Sequence, residues 1–135
     1  MRLWHKDLIK VLPRKQLVAQ WRECCLIAKN IAEKGTPNHI LVNTIMDYPI
    51  EHFIAYTTIV KEEMKKRGYK YDINRFTKWL CWDAFTIYPS DIFNEWHTDR
   101  YLKQCYYNLQ EKYDRFGVAY DEWLRIEAYM RQQED

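Results

Sequence analysis

The chain has 135 residues and a mass of 16.7 kDa, a length that suits one domain around one core. Gly and Pro number only 3 and 4, and hydrophobic residues make up 47%, which excludes a disordered chain and disfavours a turn-rich β-sandwich. The net charge of +2 excludes a strongly cationic protein, but residues 1–35 alone sum to +5 and the remainder to −3. This asymmetry favours a local anionic partner, although a solvated helix face also accounts for it.

The most regular pattern lies between Pro13 and Gly35. Apolar residues recur there at helical spacing and predict a helix over residues 14–34. A second, short helix is predicted to open at Thr36-Pro37, with the threonine as its cap, and to end near Asp47.

Two further helices are predicted in the middle of the chain. Pro49 opens a long one that Gly68 ends, with residues 65–67 placing positive charge at the negative end of its dipole. Asp72 is expected to cap the next helix, which carries Phe76 on its apolar face.

The last third contains two more helical patterns. Residues 83–96 have mixed periodicity and are expected to be irregular, whereas a helix is predicted from Thr98 to Gly117 and another after Asp121. No stretch alternates with a period of two over more than a few residues. We therefore predict an all-α fold, a compact cluster of about five helices that forms a single domain over residues 1–135.

Several classes of protein are disfavoured by what the sequence lacks. Charges interrupt the first 15 residues, so neither a signal peptide nor a membrane helix is predicted and the protein is expected to be cytoplasmic. The four histidines are widely spaced and the cysteines form no C-x-x-C pair, so we predict no metal site and reduced, mostly buried thiols. The common nucleotide-binding, acyl-transfer and zinc-protease motifs are missing as well, and no cofactor is predicted.

Three blocks of sequence resemble a known family. Residues 17–23 have the pattern L-x-A-x-aromatic-R-E, residues 63–69 have the pattern E-x-x-K-R-G-aromatic, and residues 1–3 read M-R-L. Together they resemble the pyrimidine-dimer DNA glycosylases of the phage endonuclease type. Residues 1–25 are similar in more detail to an uncharacterised bacterial group related to these enzymes, whose members begin M-R-L-W-H-x-x-L-I.

The resemblance implies a mechanism that needs no metal. The α-amino group of Met1 would attack C1′ of the damaged nucleotide and form a Schiff base, Glu23 would assist with its carboxylate, and Arg22 would hold a phosphate or orient the nucleotide. An α-amine is about two pKa units less basic than a lysine side chain, so part of it is nucleophilic at neutral pH. Members of the family expose a small residue after the initiator Met is removed. Arg2 is too bulky for that removal, and Leu26 stands where the family has an arginine.

The partner implied is damaged double-stranded DNA, with no membrane involved. Basic side chains near the amine are expected to contact phosphates, and two tryptophans near it are candidates for base contacts. The expected DNA-binding residues are Arg2, Trp4, Lys6, Lys10, Arg14, Lys15 and Trp21.

Two other functions remain open at this stage. The chain could be a non-catalytic DNA-binding or protein-interaction module on the same helical scaffold, in which Arg22 and Glu23 form only an exposed pair. Binding of RNA or nucleotides is a third interpretation, and only the aromatic content of 16% supports it.

Overall fold

The computed structural model describes residues 1–81 and 87–133. Over these ranges the chain forms five α-helices and three short 3₁₀ helices joined by turns, with no β-strand, so the predicted all-α fold class is confirmed. The α-helices are α1 (Arg14–Lys34), α2 (Ile50–Lys66), α3 (Asn74–Thr77), α4 (Asp99–Asp114) and α5 (Tyr120–Gln133). The 3₁₀ helices are Lys6–Val11, Asn43–Asp47 and Pro89–Asp91.

The two long predicted helices of the first half are present with the predicted ends. α1 follows Pro13 and ends at Gly35, whose φ of 74° is left-handed and whose N–H donates to the carbonyl of Ile31 at 2.9 Å. α2 follows Pro49, and the chain turns away at Gly68 with φ of 77°. A left-handed residue suits glycine because it has no Cβ to clash with the backbone.

The helix predicted to open at Thr36 does not form there. The Thr36 hydroxyl accepts the N–H of Asn38 at 3.2 Å, and Asn38 takes a left-handed φ of 61°. A side chain that bonds the backbone two residues ahead favours a turn over a helix. Only the 3₁₀ helix Asn43–Asp47 remains of this prediction, and it ends where the sequence indicated.

The helix predicted from Thr98 begins directly after that residue, but neither of the two residues predicted as caps takes the cap position, which in α3 belongs to Ile73. Asp72 Oδ1 accepts the N–H of Asn74 at 3.0 Å ahead of α3, and the Thr98 hydroxyl accepts the N–H of Tyr101 at 3.2 Å in α4. The predicted cap Asp121 is wrong, because it lies inside α5, where Glu122 instead accepts the N–H of Ala119 at 3.3 Å.

The stretch predicted to be irregular is only partly described. Its residues 83–86 lie outside the described ranges, and residues 87–96 contain the 3₁₀ helix Pro89–Asp91 followed by turns. None of the helices in the described ranges combines the length and apolar content needed to cross a bilayer.

The core lies where α1 packs on α2, with the N-terminal segment laid across one side. The 3₁₀ helix Lys6–Val11, which the sequence did not predict, contacts both α2 and α5. Fully burying a large apolar side chain contributes about 1.5–3 kcal/mol, so this segment is strongly held. Its buried apolar residues are Leu3, Trp4, Leu8, Ile9 and Leu12.

Candidate active site

The amide of Gln20 joins the start of the chain to the middle of α1. This fully buried side chain accepts the N–H of Trp4 at 2.8 Å, and it donates to the carbonyl of Arg2 at 2.9 Å and to Glu23 Oε2 at 3.1 Å. Both amide protons and the amide oxygen are therefore in use. Gln20 fixes the first residues of the chain relative to the carboxylate of Glu23.

Two buried tyrosines hold the same segment from the other side. The hydroxyl of Tyr101 donates to the carbonyl of Leu3 at 2.6 Å, and that of Tyr56 lies 2.6 Å from the carbonyl of Trp4 and 2.9 Å from Gln20 Oε1. Burial raises the pKa of both tyrosines. They therefore keep their protons at neutral pH and act as hydrogen-bond donors to the backbone.

A pair of buried histidines ties the segment to the residues before α4. His97 Nδ1 accepts the N–H of Lys6 at 3.0 Å, and His5 Nε2 donates to the carbonyl of His97 at 3.0 Å. Burial lowers the pKa of His97 to about 2 and also lowers that of His5. Both rings are neutral at physiological pH, which these hydrogen bonds require.

Glu23 is half-buried on α1 and faces the N-terminus of the chain. Burial raises the pKa of its carboxyl, whereas the positive charge of the Met1 amino group is the largest influence that lowers it. A hydrogen bond from the backbone of Arg2 and the charges of His39 and Arg22 also lower this pKa. The amine and the carboxylate are therefore within electrostatic reach of each other.

Met1 and Glu23 line one cleft, with a volume of about 520 Å³. Arg22 and Lys15 of α1 line it too, and Lys112 reaches it from α4. With Arg2, four cationic side chains and an amine thus surround one carboxylate. The positive charges favour an anionic substrate. The carboxylate can stabilise a positive charge that develops on the substrate, and it can accept a proton.

A larger hollow of about 1150 Å³ adjoins this cleft and was not predicted from the sequence. The two share Arg2 and Leu41 in their linings, and the hollow is also bordered by Trp96, Arg100 and Tyr101. Its lining comes from segments far apart in the chain. No local motif signals such a site, because the fold creates it by bringing residues 40–52 next to residues 91–104 and Arg2.

Lys6 is placed in the interior rather than at the cleft. Its ammonium donates to the carbonyls of Ile92 at 2.6 Å and Ser90 at 3.2 Å and to Asn94 Oδ1 at 2.8 Å. These bonds use all three of its protons. The predicted phosphate contact of Lys6 is thereby corrected, since this side chain anchors the loop before α4.

The two tryptophans proposed to contact DNA are both buried. Trp21 is 3% exposed and packs in the core against Tyr71 and Phe76, with ring centroids 5.5 and 6.5 Å away, so its predicted contact with bases is corrected. Trp4 borders the cleft, but it is 6% exposed and the guanidinium of Arg2 covers its face at 5.4 Å. Neither ring offers a free face for stacking.

Lys10 and Arg14 lie apart from the residues that line the cleft. The ammonium of Lys10 sits 4.7 Å from the centre of the Tyr129 ring, and the guanidinium of Arg14 sits 4.7 Å from that of Tyr69. Both side chains are exposed, and their binding of phosphate remains a prediction. Of the predicted basic cluster, only Lys15 joins Arg2 at the cleft.

The residues that the structure describes contain no group of three or more His, Cys, Asp or Glu side chains placed to hold a metal ion.

Comparison with known proteins gives one match. The family model for pyrimidine dimer DNA glycosylase matches residues 1–77, more than half of the chain. The matched part contains Met1, Arg22, Glu23 and both long helices of the core, and it ends in α3. Searches of the curated proteins and of the solved structures gave no match.

Proposed function

Because the chain belongs to the pyrimidine dimer DNA glycosylase family, we propose that it removes damaged pyrimidines from duplex DNA and then cleaves the strand at the abasic site. The family supports a DNA glycosylase kind of function and DNA as the substrate. The observation that carries the finer proposal is the placement of the Met1 amine and the half-buried Glu23 carboxylate in one cleft. The proposed chemistry needs only these two groups and a bound nucleotide.

The proposed reaction starts with the neutral amine of Met1. Its lone pair attacks C1′ as the bond from C1′ to the base breaks, and the base leaves with that electron pair and takes up a proton. Glu23 stabilises the cationic sugar in this step. It then accepts a proton from the new C–N linkage and passes it to the ring oxygen, which leaves C1′ as the Schiff base forms.

Strand cleavage follows from the Schiff base. Loss of a proton from C2′ drives out the oxygen on C3′ with its phosphate, and the positive nitrogen acts as the electron sink. Water then hydrolyses the imine and restores the amine of Met1. Arg22, Lys15 and Arg2 would hold phosphates around the reacting sugar, and no metal or cofactor takes part in these steps.

The dimensions of the site support this proposal. A cleft of about 520 Å³ falls within the usual range of about 300–1,000 Å³ for ligand sites, and the adjoining hollow extends it. Enzymes that act on a base in a duplex turn the nucleotide out of the stack, which requires a space of this kind. We further propose that residues 1–135 work as one domain, since Asn108 and Lys112 of α4 line the cleft with Met1.

Borohydride trapping tests the proposed function. The untagged protein is incubated with ultraviolet-irradiated duplex or with an abasic duplex, then reduced, digested and analysed by mass spectrometry. We expect a covalent DNA adduct on the N-terminal peptide, at the nitrogen of a retained Met1. A folded protein that binds the duplex but forms no adduct with either substrate would overturn the enzymatic proposal and leave a DNA-binding module.

A further inference from the structure

A groove rich in positive charge lies between α1 and α3, next to the candidate active site. Its volume is about 500 Å³, and four of its lining residues are cations while only one is an acid. The charged residues are Arg22, Lys29, Asp72, Arg75 and Lys78.

The spacing of these cations follows from the two helices. Arg22 and Lys29 are seven residues apart on one face of α1, which separates them by two turns or about 10 Å. Arg75 and Lys78 are three residues apart at α3, so they also share a side. The groove therefore carries charge along both of its walls.

Little in the described part of the chain neutralises this charge. None of the four cations forms an ion pair with a carboxylate there, and the groove's own acid, Asp72, accepts the N–H of Asn74. Lys29 and Lys78 instead both face the ring of Trp79, with their nitrogens 5.8 and 4.9 Å from its centre. Like charges gathered around one groove repel one another, and a bound polyanion would offset that repulsion.

Arg22 connects the groove to the cleft, because it lines both cavities. A strand that enters the cleft at Met1 can thus continue along α1 towards Lys29 without leaving positive surface. The phosphates of one DNA strand advance about 3.4 Å along the duplex axis, so a groove of about 10 Å spans roughly three of them.

We propose that this groove binds the phosphodiester backbone of the duplex on one side of the reacting nucleotide. The inference rests on the proposed function, because it takes the occupant of the neighbouring cleft to be DNA. The sequence predicted phosphate contacts mainly at residues 6–15. The groove instead places the main phosphate-binding surface on α1 and α3, and it includes Arg75 and Lys78. The Arg22 side chain would serve both the groove and the reacting sugar.

The test neutralises the two cations that line the groove from α3 and its C-terminal end rather than from α1. The variant Arg75→Gln with Lys78→Gln is compared with Lys65→Gln with Lys103→Gln, which removes the same charge from exposed positions outside all three cavities. Duplex affinity is measured between 50 and 200 mM salt for both variants and the parent protein. Thermal unfolding shows whether each variant is folded.

We expect the groove variant to lower the slope of log affinity against log salt by about 1.8, which corresponds to two lost phosphate contacts. The drop in affinity over the fourfold change in salt would then be about 12-fold smaller than in the parent. The control variant should keep a slope close to that of the parent.

Two results separate this inference from the proposed function. An unchanged slope in a folded groove variant would overturn the inference, even if the parent protein forms the adduct. A lowered slope without any adduct in the parent would support the groove as a DNA-binding surface while the enzymatic proposal fails.

Discussion

The network around Gln20 makes a quantitative prediction about stability. In the variant Gln20→Met an unbranched apolar side chain of similar length replaces the amide, so packing is largely preserved while four hydrogen bonds are lost. The hydroxyl of Tyr56 loses one of them but keeps its bond to the carbonyl of Trp4. The N–H of Trp4 is left buried and unpaired, which costs about 1–3 kcal/mol. The carbonyl of Arg2 and the carboxylate of Glu23 are partly accessible, so each of their bonds contributes about 0.5–1.5 kcal/mol.

The expected loss in the free energy of unfolding is therefore about 2–6 kcal/mol, a large share of the 5–15 kcal/mol typical of a domain. With a denaturant dependence of about 2 kcal/mol per molar urea, this is a fall of about 1–3 M in the transition midpoint. Gln16→Met is the matched control one turn earlier on α1. Gln16 Oε1 is buried with no hydrogen-bond partner among the described residues, so its removal should cost less than about 1 kcal/mol.

Equal effects of the two substitutions would refute the reasoning that Gln20 anchors the N-terminal segment. A separate measurement distinguishes positioning from stability. The variant Gln20→Glu keeps the size of the side chain but places a second carboxylate beside Glu23, which should raise the pKa of Glu23 further. The pH profile of adduct formation should then move to higher pH, and a profile that does not move would show that Gln20 acts on stability alone.

Three more predictions concern the catalytic groups and the histidine pair. Glu23→Gln should slow adduct formation by about 10²–10⁴-fold. Because burial raises the pKa of Glu23, the parent loses stability as the pH rises through that pKa. The Gln variant should therefore have a higher melting temperature than the parent at neutral pH. Burial lowers the pKa of His97 to about 2 in the folded protein, whereas an unfolded histidine has a pKa near 6.5. Lowering the pH from 7.5 to 5.5 should therefore reduce the free energy of unfolding by about 1 kcal/mol. Urea unfolding at the two pH values should show a smaller loss in His97→Asn. One glycine added before Met1 displaces the amine and should reduce the trapped adduct at least tenfold, while a glycine added at the other end should not.

The helices were predictable where their signals are local. α1, α2 and α4 each combine an apolar face with a cap, a proline or a glycine at the ends, and all of these lie within a few residues of the helix. The 3₁₀ helix Lys6–Val11 has a weaker local signal, a histidine cap in which His5 Nδ1 accepts the N–H of Asp7 at 3.1 Å. It forms because Tyr56, Tyr101 and His97 bond the backbone of the first six residues from 52 to 98 positions away.

The same distinction applies to the candidate site. Arg22 and Glu23 could be proposed because the family pattern names them within one turn of helix, and Met1 because it starts the chain. Lys6 and Trp21 were assigned to DNA from their nearness in sequence to that pattern. Their burial depends on residues that reach them only through the fold, such as Ile92 for Lys6 and Phe76 for Trp21.

The charge of the N-terminal third shows why net charge does not define a binding surface. Successive residues of a helix point about 100° apart, so a run of cations in sequence is spread around the structure. Lys6 is internal and Lys10 faces Tyr129, whereas other cations of this third line the cleft or the groove, namely Arg2, Lys15, Arg22 and Lys29. The positive path past Met1 is completed by cations of α3 and α4, from the part of the chain whose net charge is negative. A path for DNA in this protein is therefore a property of the packed helices rather than of any one segment.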